Sequence, residues 1–398
     1  MNYQNHSYKE NLLIMGGHLA DDLCQGSLPA ILAFMYQEGK LSSYADVAFL
    51  IMATTIVNAI AQPLTGYLSD KKPCPYLMCL GMLIAALGVA FIGFIDNYLL
   101  LCAAVAVNGI GVATFHPSAG KLANIFAGKK VGRGMSIFSV GGNIGYAIGP
   151  LYFTAGYMLF GLKATVLILI PALIMAFIFI RRNRKYLIYS KRTEARTRRR
   201  LNDAAVKDNY FGTFLLVLLV FARSAAMFSL TTFLPLYFIH ELGQKEEVST
   251  LANTIVAGAG AIATLIGGPM ADRFGFTQWV RFTSVVCVPF GVLFILTHNP
   301  LLSVAALIPL ALFYYAAMSP IVVIGQKMLP QHVGMATGIT IGLGISFGGI
   351  IAPVLGNLGD KFGLDATMLA VVCLTGLSAL LSFVVPIVNR PVKEKITA

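Results

Sequence analysis

Charge is what this chain lacks. Only 12% of its 398 residues are Asp, Glu, Lys or Arg, about half of the roughly 25% that a soluble domain carries. A water-facing surface cannot be built from so few charges, and 57% of the residues are apolar, so the chain reads as an integral membrane protein. Ten-residue alternations are missing as well. Continuous apolar runs stand in their place, which excludes a membrane β-barrel and leaves helices. The six cysteines, Cys24, Cys74, Cys79, Cys102, Cys287 and Cys373, show neither paired nor metal-ligand spacing; they read as free thiols used as small apolar residues. There is no G-x-x-x-x-G-K-[ST] loop, no Ser/His/Asp motif and no metal-ligand or haem motif. The sequence therefore predicts no enzyme, no ATP site of that kind, no metal and no cofactor. Residues 1–9 are polar and the apolar run after them is long enough to span, so no cleavable signal peptide is expected.

What is there is a series of long apolar runs. At about 20 residues per span, the chain holds roughly twelve, expected at about 10–36, 46–69, 75–95, 98–126, 134–158, 162–181, 210–239, 250–271, 277–297, 300–327, 335–357 and 366–388. The net charge of +12 is concentrated: residues 181–207 hold eleven Lys and Arg against Glu194 and Asp203. Between spans, such a run marks a cytoplasmic loop rather than a nucleic-acid site. Lys71, Lys72, Lys129, Lys130, Arg133, Arg273, Arg390, Lys393 and Lys395 then fall on the same side. Only Lys40, Lys163, Lys245 and Lys361 fall outside, so both termini are expected in the cytoplasm. The organisation read from this is an N-terminal six-helix bundle over 1–181, a basic cytoplasmic linker over 182–209 and a C-terminal six-helix bundle over 210–398.

The halves repeat. Asp70, in 66-GYLSDKK-72, and Asp272, in 268-GPMADRFG-275, are 202 residues apart. His116-Pro117 and Ser319-Pro320 are 203 apart, as are Pro150 and Pro353, and Leu28-Pro29 and Leu234-Pro235 are 206 apart. Four matches at nearly one offset define two homologous six-helix halves.

Inside the first run lies a polar stripe. His18, Asp21, Asp22 and Gln25 fall at i, i+3, i+4 and i+7, one face of a helix. A charged group at bilayer depth costs at least ~2.5–3.5 kcal/mol, so the stripe must face protein or water. Desolvation favours the neutral form of an acid, which suits Asp21 and Asp22 to carrying a proton. The two point about 100° apart and need not share a role; the alternative is a hydrogen-bonded cluster that only locks helices. His116 in 115-FHP-117 could join them or meet an anionic substrate, where Pro117 is expected to break the helix and free a carbonyl. Asn58 and Gln62 give the second span a polar face and Asn108 sits in the fourth; each is a substrate contact or interhelical glue. Lys121 is expected to snorkel to the inner interface. Arg223 is the arginine deep in a second-half span, aligned near His18 by the repeat; it reads as an anion contact or as a partner of Asp21 and Asp22. Tyr315, Ser319 and Gln326 line one face of the tenth span.

Twelve spans, a parallel 6+6 repeat, a basic central loop and G-x-x-x-D-[RK] loops after spans two and eight resemble the major facilitator superfamily over the whole chain. Within it, 18-HLADDLCQGSLPA-30, 62-QPLTGYLSD-70, 115-FHPSAGKLA-123 and 136-SIFSVGGNIGYAIGP-150 look like the fosmidomycin-resistance branch. The resemblance implies an all-α integral membrane fold of two pseudo-symmetric bundles in a bacterial cytoplasmic (inner) membrane, acting as a monomer. It also implies a proton-driven exporter of a small drug-like or anionic compound. Asp21, Asp22 and His116 are expected to couple protons. His18, Gln25, Asn58, Gln62, Asn108, His116, Arg223, Tyr315, Ser319 and Gln326 are expected to contact substrate. Gly66, Asp70, Gly268, Asp272 and Arg273 would gate, the aspartates pairing with cations or capping helix N-termini. Pro73-Cys74-Pro75 departs from the family pattern after Lys72, which weakens the expectation for the first loop. Gly145, Gly149 and Pro150 belong to a Gly/Pro run similar to an antiport marker, and also to close packing. Uptake of an organic anion by symport or uniport, and a sensor that keeps a transporter fold, are the alternatives.

Overall fold

The computed structural model describes residues 7–203 and 207–388. Thirteen α-helices follow in order: α1 (Tyr8–Gln37), α2 (Tyr44–Lys71), α3 (Tyr76–Ala90), α4 (Tyr98–Ala127), α5 (Val131–Phe160), α6 (Leu169–Asp203), α7 (Tyr210–His240), α8 (Glu246–Phe274), α9 (Phe276–Leu296), α10 (Pro300–Tyr315), α11 (Met318–Met328), α12 (Val333–Phe362) and α13 (Leu364–Val384). Among the described residues there is no strand. A 30-residue helix such as α4 is ~45 Å long at 1.5 Å per residue, enough to cross a ~30 Å hydrocarbon core with turns to spare. Ten stretches are long and apolar enough to cross on their own; one, Val131–Thr197, runs through both α5 and α6, and another, Pro300–Met328, joins α10 to α11. α1, also 30 residues, adds the twelfth crossing despite its stripe.

The starts are written in the sequence. Ser43 and Asp46 form a reciprocal capping box on α2. Asn97, Asn209 and Asn299 accept from the first free N–H groups of α4, α7 and α10. Gly128 closes α4 with φ at 60°, which a residue lacking Cβ adopts without strain. Leu99, Met158 and Leu301 are exposed, as lipid-facing positions should be.

Two elements differ from expectation. Pro117 does not break α4, which continues to Ala127. The carbonyl that the proline leaves free is that of Ala113, and the Thr65 hydroxyl of α2 donates to it at 2.5 Å. The basic segment 182–209 is not a loop for most of its length, because α6 runs on to Asp203; residues 204–206 lie outside the described residues. The tenth span is broken at Ala316-Ala317, so Tyr315 ends α10 while Ser319 and Gln326 belong to α11.

The chain forms two compact units. Unit 1 takes the described residues of Met1–Lys129, Ile137–Asp208 and Leu329–Gly349, and unit 2 those of Lys130–Ser136, Asn209–Met328 and Ile350–Ala398. In unit 1, α5 lies against α1 through a glycine ladder. A Cβ on Gly141, Gly145 or Gly149 would strike the carbonyl oxygen of Met15, Leu19 or Leu23, so both helices step by four residues along their contact. In unit 2, Tyr237, Phe238, Leu307, Leu310 and Val371 pack the core of α7, α10 and α13.

Candidate functional site

The ladder delivers α5 to the polar stripe of α1. Gly142 lies directly against the stripe: a Cβ there would strike Asp22 and His18. The Phe138 ring stacks on His18, with centroids 4.0 Å apart. From α4, His116 enters the same space. His18 Nε2 is 3.0 Å from His116 Nε2, Asp22 Oδ2 is 3.2 Å from His18 Nε2, and Asp22 Oδ1 is 3.3 Å from His116 Nε2. The remaining ring nitrogens face backbone carbonyls, His18 Nδ1 at 2.8 Å from Phe138 O and His116 Nδ1 at 3.0 Å from Val112 O. Asp21 approaches His116 from the other side, 3.8 Å from Nδ1, and both its oxygens are buried without a hydrogen-bond partner. All four ionisable groups are buried. By spacing alone, His18, Asp22 and His116, whose donor atoms all lie within 4.8 Å of one another, could also bridge a divalent ion.

The other expected contacts divide. Gln62 donates to Asn58 at 2.8 Å, and its own Oε1 is buried and unpartnered, so this pair keeps an acceptor available. Asn108 serves as interhelical glue: its amide donates to Ala85 O at 3.0 Å and accepts from Thr54 at 3.1 Å, which ties α2, α3 and α4 together. Gln25 is half-buried, one turn beyond Asp21. Lys121 points to the side of the chain that carries the basic segment. It reaches Asp70 at 3.0 Å and Glu194 at 2.8 Å, beside a cleft of about 910 Å³ that Lys71, Lys191 and His332 also line.

In unit 2, Arg223 is buried. Its Nη1 donates to Ser284 at 2.9 Å and its Nη2 to Tyr314 O at 2.6 Å, with the guanidinium 4.4 Å above the Tyr314 ring. Among the described residues of unit 2, no carboxylate lies within ion-pair distance of it. Tyr315 packs over Gly260, where a Cβ would strike its ring, and Ser319 and Gln326 are buried in α11.

Asp70 and Asp272 act alike. Asp70 accepts from Gly334 N and Met335 N, each at 2.9 Å, which caps the start of α12 within unit 1. Asp272 accepts from Gly132 N and Arg133 N, each at 2.9 Å, which caps the start of α5 within unit 2. Gly66 and Gly268 permit the approach, since a Cβ on either would strike Gly334 O or Gly132 O. Arg273 stays exposed, its guanidinium over Phe274. The Pro73-Cys74-Pro75 sequence therefore does not prevent the first cap. A hydrogen bond to a charged acceptor contributes about 1.5–3 kcal/mol. Asp70→Asn keeps one acceptor but loses the second bond and the charge facing the helix N-terminus. We expect amide exchange at Gly334 and Met335 to accelerate about 30-fold, corresponding to ~2 kcal/mol. Asp272→Asn should do the same at Gly132 and Arg133, and unchanged exchange would disprove the caps.

Long apolar helices that bury acids, histidines and an arginine define a polytopic membrane protein. The chain belongs to the Major Facilitator Superfamily, whose profile it matches over residues 14–353; proteins of this family and fold are transporters, not enzymes. It is 28% identical over 386 residues to the uncharacterized MFS-type transporter YfnC of Bacillus subtilis (strain 168), covering 94% of this chain and 92% of that one. It is 26% identical over 351 residues to the fosmidomycin resistance protein of Escherichia coli (strain K12), covering 87% and 86%. Its fold is similar to the crystal structure of the MFS transporter FucP in the outward conformation, with a TM-score of 0.74 at 15% identity, covering 96% of this chain and 100% of that one.

Proposed function

We propose that this protein is a proton-coupled antiporter that exports a small drug-like or anionic compound by alternating access. It works as a monomer in a bacterial inner membrane with both termini cytoplasmic. The observation that carries this reading is the buried His18–Asp21–Asp22–His116 cluster, because ionisable groups within the membrane are costly and acids with histidines there mark proton relays. Arg223 supplies the complementary charge for an anionic group. The name of the fosmidomycin resistance relative supports fosmidomycin as the first substrate to try. The Asp70 and Asp272 caps are elements that form and release during the cycle. The test is fosmidomycin flux into proteoliposomes under an imposed pH gradient. Drug movement against the direction of proton flow supports antiport. Movement with the protons shows symport, and flux indifferent to the gradient removes proton coupling.

A further inference from the structure

The two imidazoles of unit 1 meet nitrogen to nitrogen, and their outer hydrogen bonds decide where the hydrogens are. His18 Nδ1 faces Phe138 O and His116 Nδ1 faces Val112 O. A carbonyl oxygen only accepts, so both Nδ1 atoms carry hydrogen. A neutral imidazole has one N–H, so both Nε2 atoms would then present bare lone pairs to each other at 3.0 Å. That is hydrogen-bond distance, and without a hydrogen between them the contact is repulsive. Asp22 offers no relief when ionised, since Oδ2 and Oδ1, at 3.2 and 3.3 Å, are acceptors as well.

Charge counting gives the same answer. Two neutral rings and one carboxylate sum to a single negative charge. One proton placed among them makes the buried group neutral, which burial favours over any net charge. Among the described residues of unit 1, the neighbours supply no other cation. From α1, Asp21 and Cys24 face the group; from α5, Tyr146 does. Among the described residues of unit 1, neither aspartate pairs with a lysine or arginine.

We propose that His18 and His116 share one proton in an Nε2–H···Nε2 hydrogen bond balanced by Asp22, and that this is the proton the transporter exchanges. The shared proton stands on geometry; its exchange rests on the antiport reading above. His18 is thereby a proton carrier rather than a substrate contact. On release, the Nε2–H bond breaks with its electron pair left on nitrogen, the proton passes to water, and the cluster keeps one negative charge.

The test uses the full chain, labelled with ¹⁵N-histidine and treated with chelator. The expected spectrum has one Nε2–H resonance coupled to an unprotonated Nε2 of a second ring. The signal is lost in both His18→Gln and His116→Gln and unchanged in His298→Gln, an exposed site. In proteoliposomes, His18→Gln, whose amide can still donate to His116, should lose at least ~10-fold of pH-driven fosmidomycin flux while keeping drug–drug counterflow, a split that a packing role would not give. Two neutral rings without a shared hydrogen overturn the proposal, as does a stoichiometric transition metal released by chelator or unaltered pH-driven flux in His18→Gln. If wild-type flux ignores the pH gradient while the shared-proton signal is present, the antiport reading and the exchange fail and the shared proton stands.

Discussion

Asp22→Asn is expected to abolish transport driven by a pH gradient while leaving a folded protein. Asp22 is the residue that touches both histidines, with one oxygen at 3.2 Å and the other at 3.3 Å. Asparagine fills the same volume, so packing against Gly142 is preserved and the helices have no steric reason to part. What it cannot supply is the negative charge. Leaving a buried ion without its partner costs about 3–5 kcal/mol, which converts to roughly 10²–10⁴ in proton occupancy. Its amide nitrogen can also donate to the bare Nε2 lone pairs in place of the shared proton. The proton therefore leaves, and coupling goes with it. Drug–drug counterflow and a thermal-shift transition on purified protein are the controls for folding. Normal pH-gradient-dependent flux in Asp22→Asn would rule out the role. Asp21→Asn should do less to the shared proton, because Asp21 stands 3.8 Å from His116 on the far side of the ring and contacts neither Nε2.

The contrast between the two aspartates shows how far the sequence could be read. The stripe, its four-residue spacing and the 100° between adjacent side chains are local properties of a helix, and they are legible in 18-HLADDLCQ-25. That Asp22 spans two histidines while Asp21 has no hydrogen-bond partner depends on His116, 98 residues beyond His18 in the chain. Nothing in the periodicity of either helix fixes which nitrogen faces which oxygen. The caps at Asp70 and Asp272 were legible because the repeat doubles the motif. Which helix each would cap was not, since Gly334 lies 264 residues from Asp70. Pro117 misleads for the same reason. A proline breaks a helix when its orphaned carbonyl has no partner, and Thr65, 48 residues away, supplies one. Asn108 and Lys121 fall into the same class: polar residues whose role was decided by distant acceptors. The basic 182–209 segment was read as a loop from charge alone, although arginine and lysine are good helix formers and residues 182–203 hold no proline or glycine to stop α6.

Gly145→Val is expected to unfold or misassemble the bundle of unit 1, and the ladder explains why the effect is large. In water, helix pairs gain from burying apolar surface; in lipid that driving force is absent, and close van der Waals packing between small residues takes its place. Gly141, Gly145 and Gly149 put α5 backbone directly on the carbonyls of Met15, Leu19 and Leu23. Such an approach also permits weak Cα–H···O contacts. The atom that a Cβ on Gly145 meets is Leu19 backbone, not a flexible side-chain end, so it cannot swing aside. Overpacking of this kind costs about 1–3 kcal/mol or more. Here it also moves Phe138 and Gly142, which hold His18 and Asp22 in place. Loss of transport should therefore accompany the drop in thermal stability. Gly258→Ala and Gly376→Ala provide the opposite sign. They sit within α8 and α13 with nothing within 4 Å of an added Cβ, and alanine is a better helix former by roughly 1 kcal/mol. The pair should melt at or above the wild-type temperature with transport intact. Equal tolerance of Gly145→Val and Gly258→Ala would show that the α1–α5 contact is looser than the ladder requires. It would also remove the reason for that glycine run to be where it is.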